Sequence, residues 1–404
     1  MKKQQIKAGL ASACIGIVSP MMLVASQAHA VERTFIARSA VDIGKMSAAT
    51  SWADMVAPIN GDTAIFPASA TYQTINNNAT SLSLAKLVFS GENSDVSEKS
   101  FTITGNGLTI TSGIDAIMTG SAGNQMVDVD VTLGADATFM TDGASSLQVG
   151  NDGTVLDLGS NDLTLQADGG TITLAGEVDG SGKLIVDSGN VNMLATAATG
   201  YTGAVEVSSG VFATTAETEG NIVISGGTLK GNSDLLGSIT MSSGIIAPGN
   251  SPDCLGTADL AFTGGNYNVE INGNVQCTEY DSMTVVGAVD LGSATTLNIS
   301  RLASFKPKVN DTFAIIVNDG TDAVKGTFKG LANGDSVTVD GYIYQVNYDA
   351  GVDKNDVLLL VKAAPTTPDT GIGSLVTSPL TAALSTLAAL GVVGGLKFAE
   401  QRRK

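Results

Sequence analysis

The only histidine in the chain, His29, lies within the first 30 residues. The remainder therefore has no Ser-His-Asp or Cys-His relay and no histidine-bearing zinc site. It also lacks a glycine-rich phosphate loop followed by lysine. What remains is carboxylate chemistry. A polysaccharide hydrolase or lyase needs two carboxyl groups across a glycosidic bond, one as acid and one as base or nucleophile. Asp128 and Asp130 alternate on one strand face, and Asp152, Asp157 and Asp162 fall in turns or on exposed faces. With 39 Asp and Glu in the chain, such pairs arise by chance. A solvated strand face is the plainer reading, and the paired-carboxylate enzyme is kept as the alternative. Asp349, Asp353 and Asp356 are spaced like a calcium turn but belong to no repeat array, so no metal and no cofactor is assigned.

The elements that must carry these groups are strands. From about residue 40 to 361 no helical period is evident; short alternating runs are cut by Gly, Asn and Asp. Examples are the run after Asp162 (Leu-Thr-Leu), the run from Thr171 (Ile-Thr-Leu) and the run from Lys183 (Leu-Ile-Val). Aromatic residues make up only 5% of the chain, which predicts an aliphatic core.

Four segments align without gaps: Leu184-x-Val186-x-x-Gly189-x-Val191, Val205-x-Val207-x-x-Gly210-x-Phe212, Ile222-x-Ile224-x-x-Gly227-x-Leu229 and Ile239-x-Met241-x-x-Gly244-x-Ile246. A fifth copy, Leu108-x-Ile110-x-x-Gly113-x-Asp115, lacks the last apolar residue. Two apolar side chains point inward, a glycine turns the chain through positive φ, and a third points inward from the next face. One unit cannot bury its stripe alone. Units stacked at about 4.8 Å can, which predicts an all-β fold, a right-handed parallel β-helix (solenoid). An antiparallel sandwich is the alternative. About 300 residues at roughly 20 per coil give a rod on the order of 70 Å.

Residues 305–362 differ in texture. Phe305, Phe313, Phe328, Tyr342, Tyr344 and Tyr348 gather there. Solenoid ends need cover against edge pairing, so this segment is read as a C-terminal β cap with an aromatic core. A carbohydrate-binding aromatic patch is the alternative.

The termini read as processing and anchoring segments. Lys2, Lys3 and Lys7 precede an apolar run over residues 8–25, and Ala28 and Ala30 stand at −3 and −1 of a signal-peptidase cut before Val31. This predicts a helical signal peptide over 1–30 and export; an uncleaved membrane anchor is the alternative. Cys14 leaves with that leader, and Cys254 and Cys277 remain as an even pair in an oxidising compartment. A disulfide is expected, with two free thiols as the alternative. Of 21 Lys and Arg, three lie in the leader and four beyond Thr370, whereas of 39 Asp and Glu only Glu400 is lost. The processed segment thus keeps 14 basic and 38 acidic residues, a charge of −24 that repels nucleic acid.

With these residues in hand, the repeats resemble the autotransporter-associated β-strand repeats of passenger domains. Tyr201-Thr-Gly203 followed by the segment to Phe212, the segment from Asn221 to Leu229, Trp52 with Gly61-Asp62-Thr63, Pro248-Gly249-Asn250, and Gly326-Thr-Phe328 carry the likeness, which spans about residues 50–361. The resemblance implies a β-helical surface fold, in a family that hosts adhesins, enzymes and toxins. Only about 40 residues follow Val361, so self-export through a β-barrel is not expected.

The C-terminal residues resemble the tripartite sorting signal of Gram-positive-type cell-wall proteins. Pro368-Asp369-Thr370-Gly371 precede an apolar stretch over 380–396 and the basic residues Lys397, Arg402, Arg403 and Lys404. Thr367 stands where that family has leucine. The resemblance implies cleavage between Thr370 and Gly371 by a sortase-type transpeptidase. A plain C-terminal membrane anchor is the alternative, since the apolar segment favours lipid and the basic tail the cytoplasmic side.

The expected organisation is leader 1–30, β-helical repeat domain 31–304, β cap 305–362, linker and sorting motif 363–371, transmembrane helix 372–398 and basic tail 399–404. The expected role is a surface-anchored, non-enzymatic, adhesin-like or structural protein. Its expected partners are signal peptidase, a sortase, the cell wall or membrane, and a host or community surface glycan or protein ligand. No nucleic acid is expected among them.

Overall fold

A computed structural model describes residues 30–36, 44–70, 73–93, 100–120, 123–143, 145–194, 200–249, 252–319 and 322–365. The leader with Ala28, the motif Pro368, Asp369, Thr370 and Gly371, and the apolar segment 380–396 lie outside the described residues. Among those described, the chain is all-β. Its one helical turn is the 3-10 turn Ala49–Ser51, and no helix is long and apolar enough to cross a membrane.

Most strands join one 24-stranded sheet in which every ladder is parallel. Each strand pairs with one lying about a coil further along the chain, so the connections are themselves strands rather than helices. Strand Val205–Val207 pairs with Ile222–Ile224, which pairs with Ile239–Met241 and then Leu260–Phe262. The second strand of each coil behaves alike: Val211–Thr214 pairs with Thr228–Gly231, and that with Ile245–Pro248. This arrangement is consistent with a β-solenoid.

The four aligned repeats stack in register. Leu184, Val205, Ile222 and Ile239 form one inward column, continued by Leu260 and Val289. Val191, Phe212, Leu229 and Ile246 form another, continued by Tyr267 and Leu297. These side chains are buried, and each contributes roughly 1.5–3 kcal/mol through removal of apolar surface from water.

Four expectations need correction. First, the fifth copy keeps the columns at Leu108 and Ile110 but slips after Gly113. Ile114 then points inward opposite Leu87 and Phe139, because the ladder shifts register between Leu84 and Lys86. Asp115, buried by that slip, is paired with Lys86 Nζ at 2.8 Å. Second, the runs near 163–165 and 171–174 are one strand, Leu163–Leu174, that bends at a corner with register shifts at Leu165/Gln166 and Ala167/Thr171. Third, the repeat glycines do not share one cause. Gly189 has φ +65°, whereas Gly227 has no positive φ and is required by close approach, since an added Cβ would lie 2.6 Å from Val207 Cγ1. Fourth, the core is not wholly aliphatic. Phe35, Trp52, Phe66, Phe89 and Phe101 form a buried aromatic plug at the N-terminal coils, with the Trp52 indole N–H donating to the Met46 carbonyl at 2.9 Å.

At the other end a second sheet starts parallel and turns antiparallel. Strand Cys254–Thr257 pairs parallel with Ser282–Val285, and that strand parallel with Thr312–Asn318. Strands Asp356–Ala363, Tyr342–Ala350 and Ser336–Val339 then follow antiparallel. Phe313, Phe328 and Tyr344 are fully buried and Tyr342 and Tyr348 nearly so, so these rings form a core and not a surface patch. Phe328 stacks on Tyr267 of the coil region at 5.9 Å and 3°. Arg301, ending the last strand of the large sheet, pairs with Asp340 at 3.0 Å and lies 5.0 Å from the Tyr342 ring centroid. Coil and cap are thereby packed together.

Candidate functional site

Side chains that alternate inward along a strand leave their neighbours facing out, and outward residues of successive coils also form columns. One such column holds Val211, Thr228, Ile245, Asn266 and Thr296. The strands Asn266–Ile271 and Thr296–Arg301 outrun the shorter Ile245–Pro248, and the chain leaves the ladder after Pro248. The step between short and long coils opens a cleft of about 480 Å³. Val211, Ile245, Ala247 and Ile299 supply its apolar surface, and Thr228, Lys230, Asn268, Glu270, Asn298 and Ser300 its polar groups. Asn298 Nδ2 donates to Asn268 Oδ1 at 2.9 Å, which fixes two amides of neighbouring coils against each other.

Asp281 closes one end of the cleft and is 2% exposed. Its Oδ1 accepts the Asp253 N–H at 3.0 Å and its Oδ2 the Glu270 N–H at 2.8 Å. Burial pushes its carboxyl up to about 7; those two hydrogen bonds oppose the rise, and the nearby charges of Glu270 and Asp253 add to it. Because the folded pKa lies above the unfolded one, stability is greatest below the unfolded pKa and falls as pH rises towards 7. Between pH 5 and 8 wild-type protein should lose about 2–3 kcal/mol that the Asp281→Asn variant does not lose, checked by denaturant titration of both proteins across that range.

Beside the cleft, Cys254 and Cys277 are joined by a disulfide with Cα atoms 4.7 Å apart. Cys254 lies opposite Ser282 in the ladder, so the bridge ties the excursion between strands Asn266–Ile271 and Ser282–Val285 to the preceding coil. Within that excursion the Glu279 carboxylate accepts the N–H groups of Asn274 and Val275.

The carboxylates singled out in the sequence are not brought together. Asp128 and Asp130 lie several coils before the cleft, in the corner between strands Asn124–Val127 and Val131–Leu133 and so not on one strand face, and Asp130 Oδ1 accepts the Val155 N–H at 2.9 Å. Asp157 Oδ1 accepts the Gly159 N–H at 2.8 Å within its own turn. Asp152 is exposed in a turn. Asp162 belongs to a device that sequence reading missed. Immediately before the first inward residue of a coil, Asp or Asn reaches across and accepts a backbone N–H from the same position of the next coil. Asp136 does this to Asp162, Asp162 to Lys183, Asn221 to Ser238 and Asp259 to Ala288, all at 2.8–2.9 Å. The signal was available as Asp-Ala137, Asp-Leu163, Asn-Ile222 and Asp-Leu260 dipeptides at the heads of those four coils. Asp162→Ala should cost about 1–2 kcal/mol, the scale of a hydrogen bond to a charged acceptor, while Asp162→Asn should cost under about 0.5 kcal/mol because it keeps the acceptor; thermal melts of both variants test this.

Val31 N–H donates to Asp62 Oδ1 at 3.2 Å, and Ala30 and Val31 are exposed. Asp349 Oδ1 accepts from Asn333 and Asp356 Oδ1 from the Asn318 N–H. Among the described residues no group of three or more His, Cys, Asp or Glu is placed to hold a metal ion.

No family model, curated protein or solved structure matches the chain.

Proposed function

We propose that the protein is an exported, surface-held scaffold, adhesin-like or structural, that presents a right-handed parallel β-helix and performs no catalysis. The observation carrying this reading is the parallel ladder itself, which runs from Glu32–Thr34 to Thr296–Arg301. Such a stack extends a surface with each added coil, and right-handed crossover is the strong rule for parallel strands in one sheet. A signal-peptidase cut before Val31 would export the chain. Pro368-Asp369-Thr370-Gly371 with the apolar and basic tail would then hold it, through a sortase at the wall or directly in the membrane. The cleft suits an uncharged surface glycan, because paired amides, hydroxyls and a lysine face a partly apolar floor. Its carboxylates and the acidic chain disfavour polyanions.

A second reading, a polysaccharide hydrolase or lyase, gains support from Asp281. A carboxyl raised by burial beside a second acid in one cleft is the kind of site from which paired-carboxylate chemistry is built. Both Asp281 oxygens, however, are engaged by backbone N–H groups, which favours the binding role.

One experiment separates the two. Purified protein is screened against immobilised neutral polysaccharides. Retention without product release, weakened at least tenfold by Asn268→Ala with Asn298→Ala, supports the scaffold. Sugar release abolished by Glu270→Gln or Asp281→Asn establishes the enzyme. For anchoring, mass spectrometry of wall fragments should find a C-terminal peptide ending at Thr370. An intact Arg402-Arg403-Lys404 tail supports the membrane anchor.

A further inference from the structure

Asp62 opens the first full coil and is 3% exposed. Its Oδ2 accepts Arg33 Nε at 2.9 Å and the Ile59 N–H at 3.1 Å; its Oδ1 accepts the Val31 N–H at 3.2 Å. Arg33 is shared, because its Nη1 also pairs with Asp54. Among the described residues, the side chains of this cluster therefore carry two negative charges and one positive. A nearly buried carboxylate left with half a counter-ion is costly. The missing positive charge has a source one bond away. The nitrogen already seated on Asp62 belongs to the residue after Ala30.

We infer that Asp62 is the docking site for the α-ammonium created at Val31 when the chain is cut after Ala30, so that export processing itself neutralises the cluster and locks the first coil. The inference rests on the signal-peptidase reading proposed above. In the cut, water adds across the Ala30–Val31 peptide bond; Ala30 leaves as a carboxylate with the leader, and the Val31 nitrogen is protonated to an ammonium. That nitrogen changes from a neutral amide donor to a cation without moving. Strand Glu32–Thr34 is already laid on Thr63–Pro67, and the Thr63 N–H donates to the Val31 carbonyl at 2.9 Å, so the ammonium is held in place from both sides. Among the described residues, the charged groups around it are Asp62 and Arg33, with Asp54 behind Arg33 and Glu32 exposed beside it. Before the cut the same site holds only an amide, so the cluster stays one charge short.

The test uses protein purified after export, alongside Asp62→Asn and a variant with two asparagines inserted between Ala30 and Val31. Mass spectrometry identifies the N-terminal residue of each. The pH dependence of α-amine labelling is then measured. A free α-amine titrates near 7.7–8.0. Docking on Asp62 should raise that value by about one unit, slowing labelling at pH 7.5 about sevenfold relative to both variants. The insertion variant keeps Asp62 and its bonds to Arg33, so it remains informative if Asp62→Asn folds poorly. Labelling as fast in wild type as in the insertion variant overturns the docking while leaving the cleavage reading intact. An exported chain starting at a residue other than Val31 overturns both.

Discussion

Gly189→Val should be the most damaging single change in the repeat region, costing more than about 4 kcal/mol and leaving little soluble protein. Two causes act at once. Gly189 turns the coil at φ +65°, a conformation that costs a β-branched residue about 1–3 kcal/mol. An added Cβ would also lie 1.7 Å from the Ala167 carbonyl oxygen of the preceding coil. That contact is with backbone, so it can be relieved only by parting the two coils and losing their ladder. Gly189→Asn separates the causes, because asparagine tolerates the left-handed region but still carries a Cβ. It should be nearly as harmful if the clash dominates. Since stacked coils interact mainly with their neighbours, the damage should be local at first. Hydrogen exchange should show early opening in Leu163–Leu174 and Leu184–Met193 while the aromatic plug around Trp52 stays protected.

The second large effect is expected at the disulfide. Replacing Cys254 and Cys277 together with serine should cost about 3 kcal/mol in the chain-entropy account for a loop of this length, and reduction of the wild type should do the same. A chemical-denaturation series comparing oxidised, reduced and double-serine protein reads it directly. The loss should appear first in residues 272–281, where Glu279 and the bridge hold the excursion, and then in the cleft wall at Asp281. A reduced protein as stable as the oxidised one would show that the neighbouring coils hold this loop without help.

The repeat was legible because each coil places its inward apolar residues at the same internal spacing, and the segments from Leu184, Val205, Ile222 and Ile239 keep it without gaps although the coils are 21, 17 and 17 residues long. The slip after Gly113 was not legible. A bulge in the partner strand between Leu84 and Lys86 moves Ile114 inward, and no pattern within residues 108–115 announces an event in another coil. Low aromatic content was a poor guide to the core because it averages over the chain, whereas the rings concentrate at the two ends. There a coil lacks a neighbour on one side, and bulk must close what stacking cannot. The cleft was hidden for a related reason. It arises from strands of unequal length, Ile245–Pro248 against Asn266–Ile271, and its polar residues are unremarkable when read singly. Of the carboxylates singled out, Asp130 and Asp162 accept backbone N–H groups across coils and Asp157 does so within its own turn.

The in-register columns have a consequence for how the gene can change. Val205, Ile222 and Ile239 recur at a 17-residue interval and occupy the same ladder position. Excising or duplicating any such interval would therefore join inward residue to inward residue and glycine corner to glycine corner. Allelic length variation in whole coils is open to this architecture without redesign of either terminus. Copy number, more than point substitution, is the natural variable for setting how many coils the stack holds.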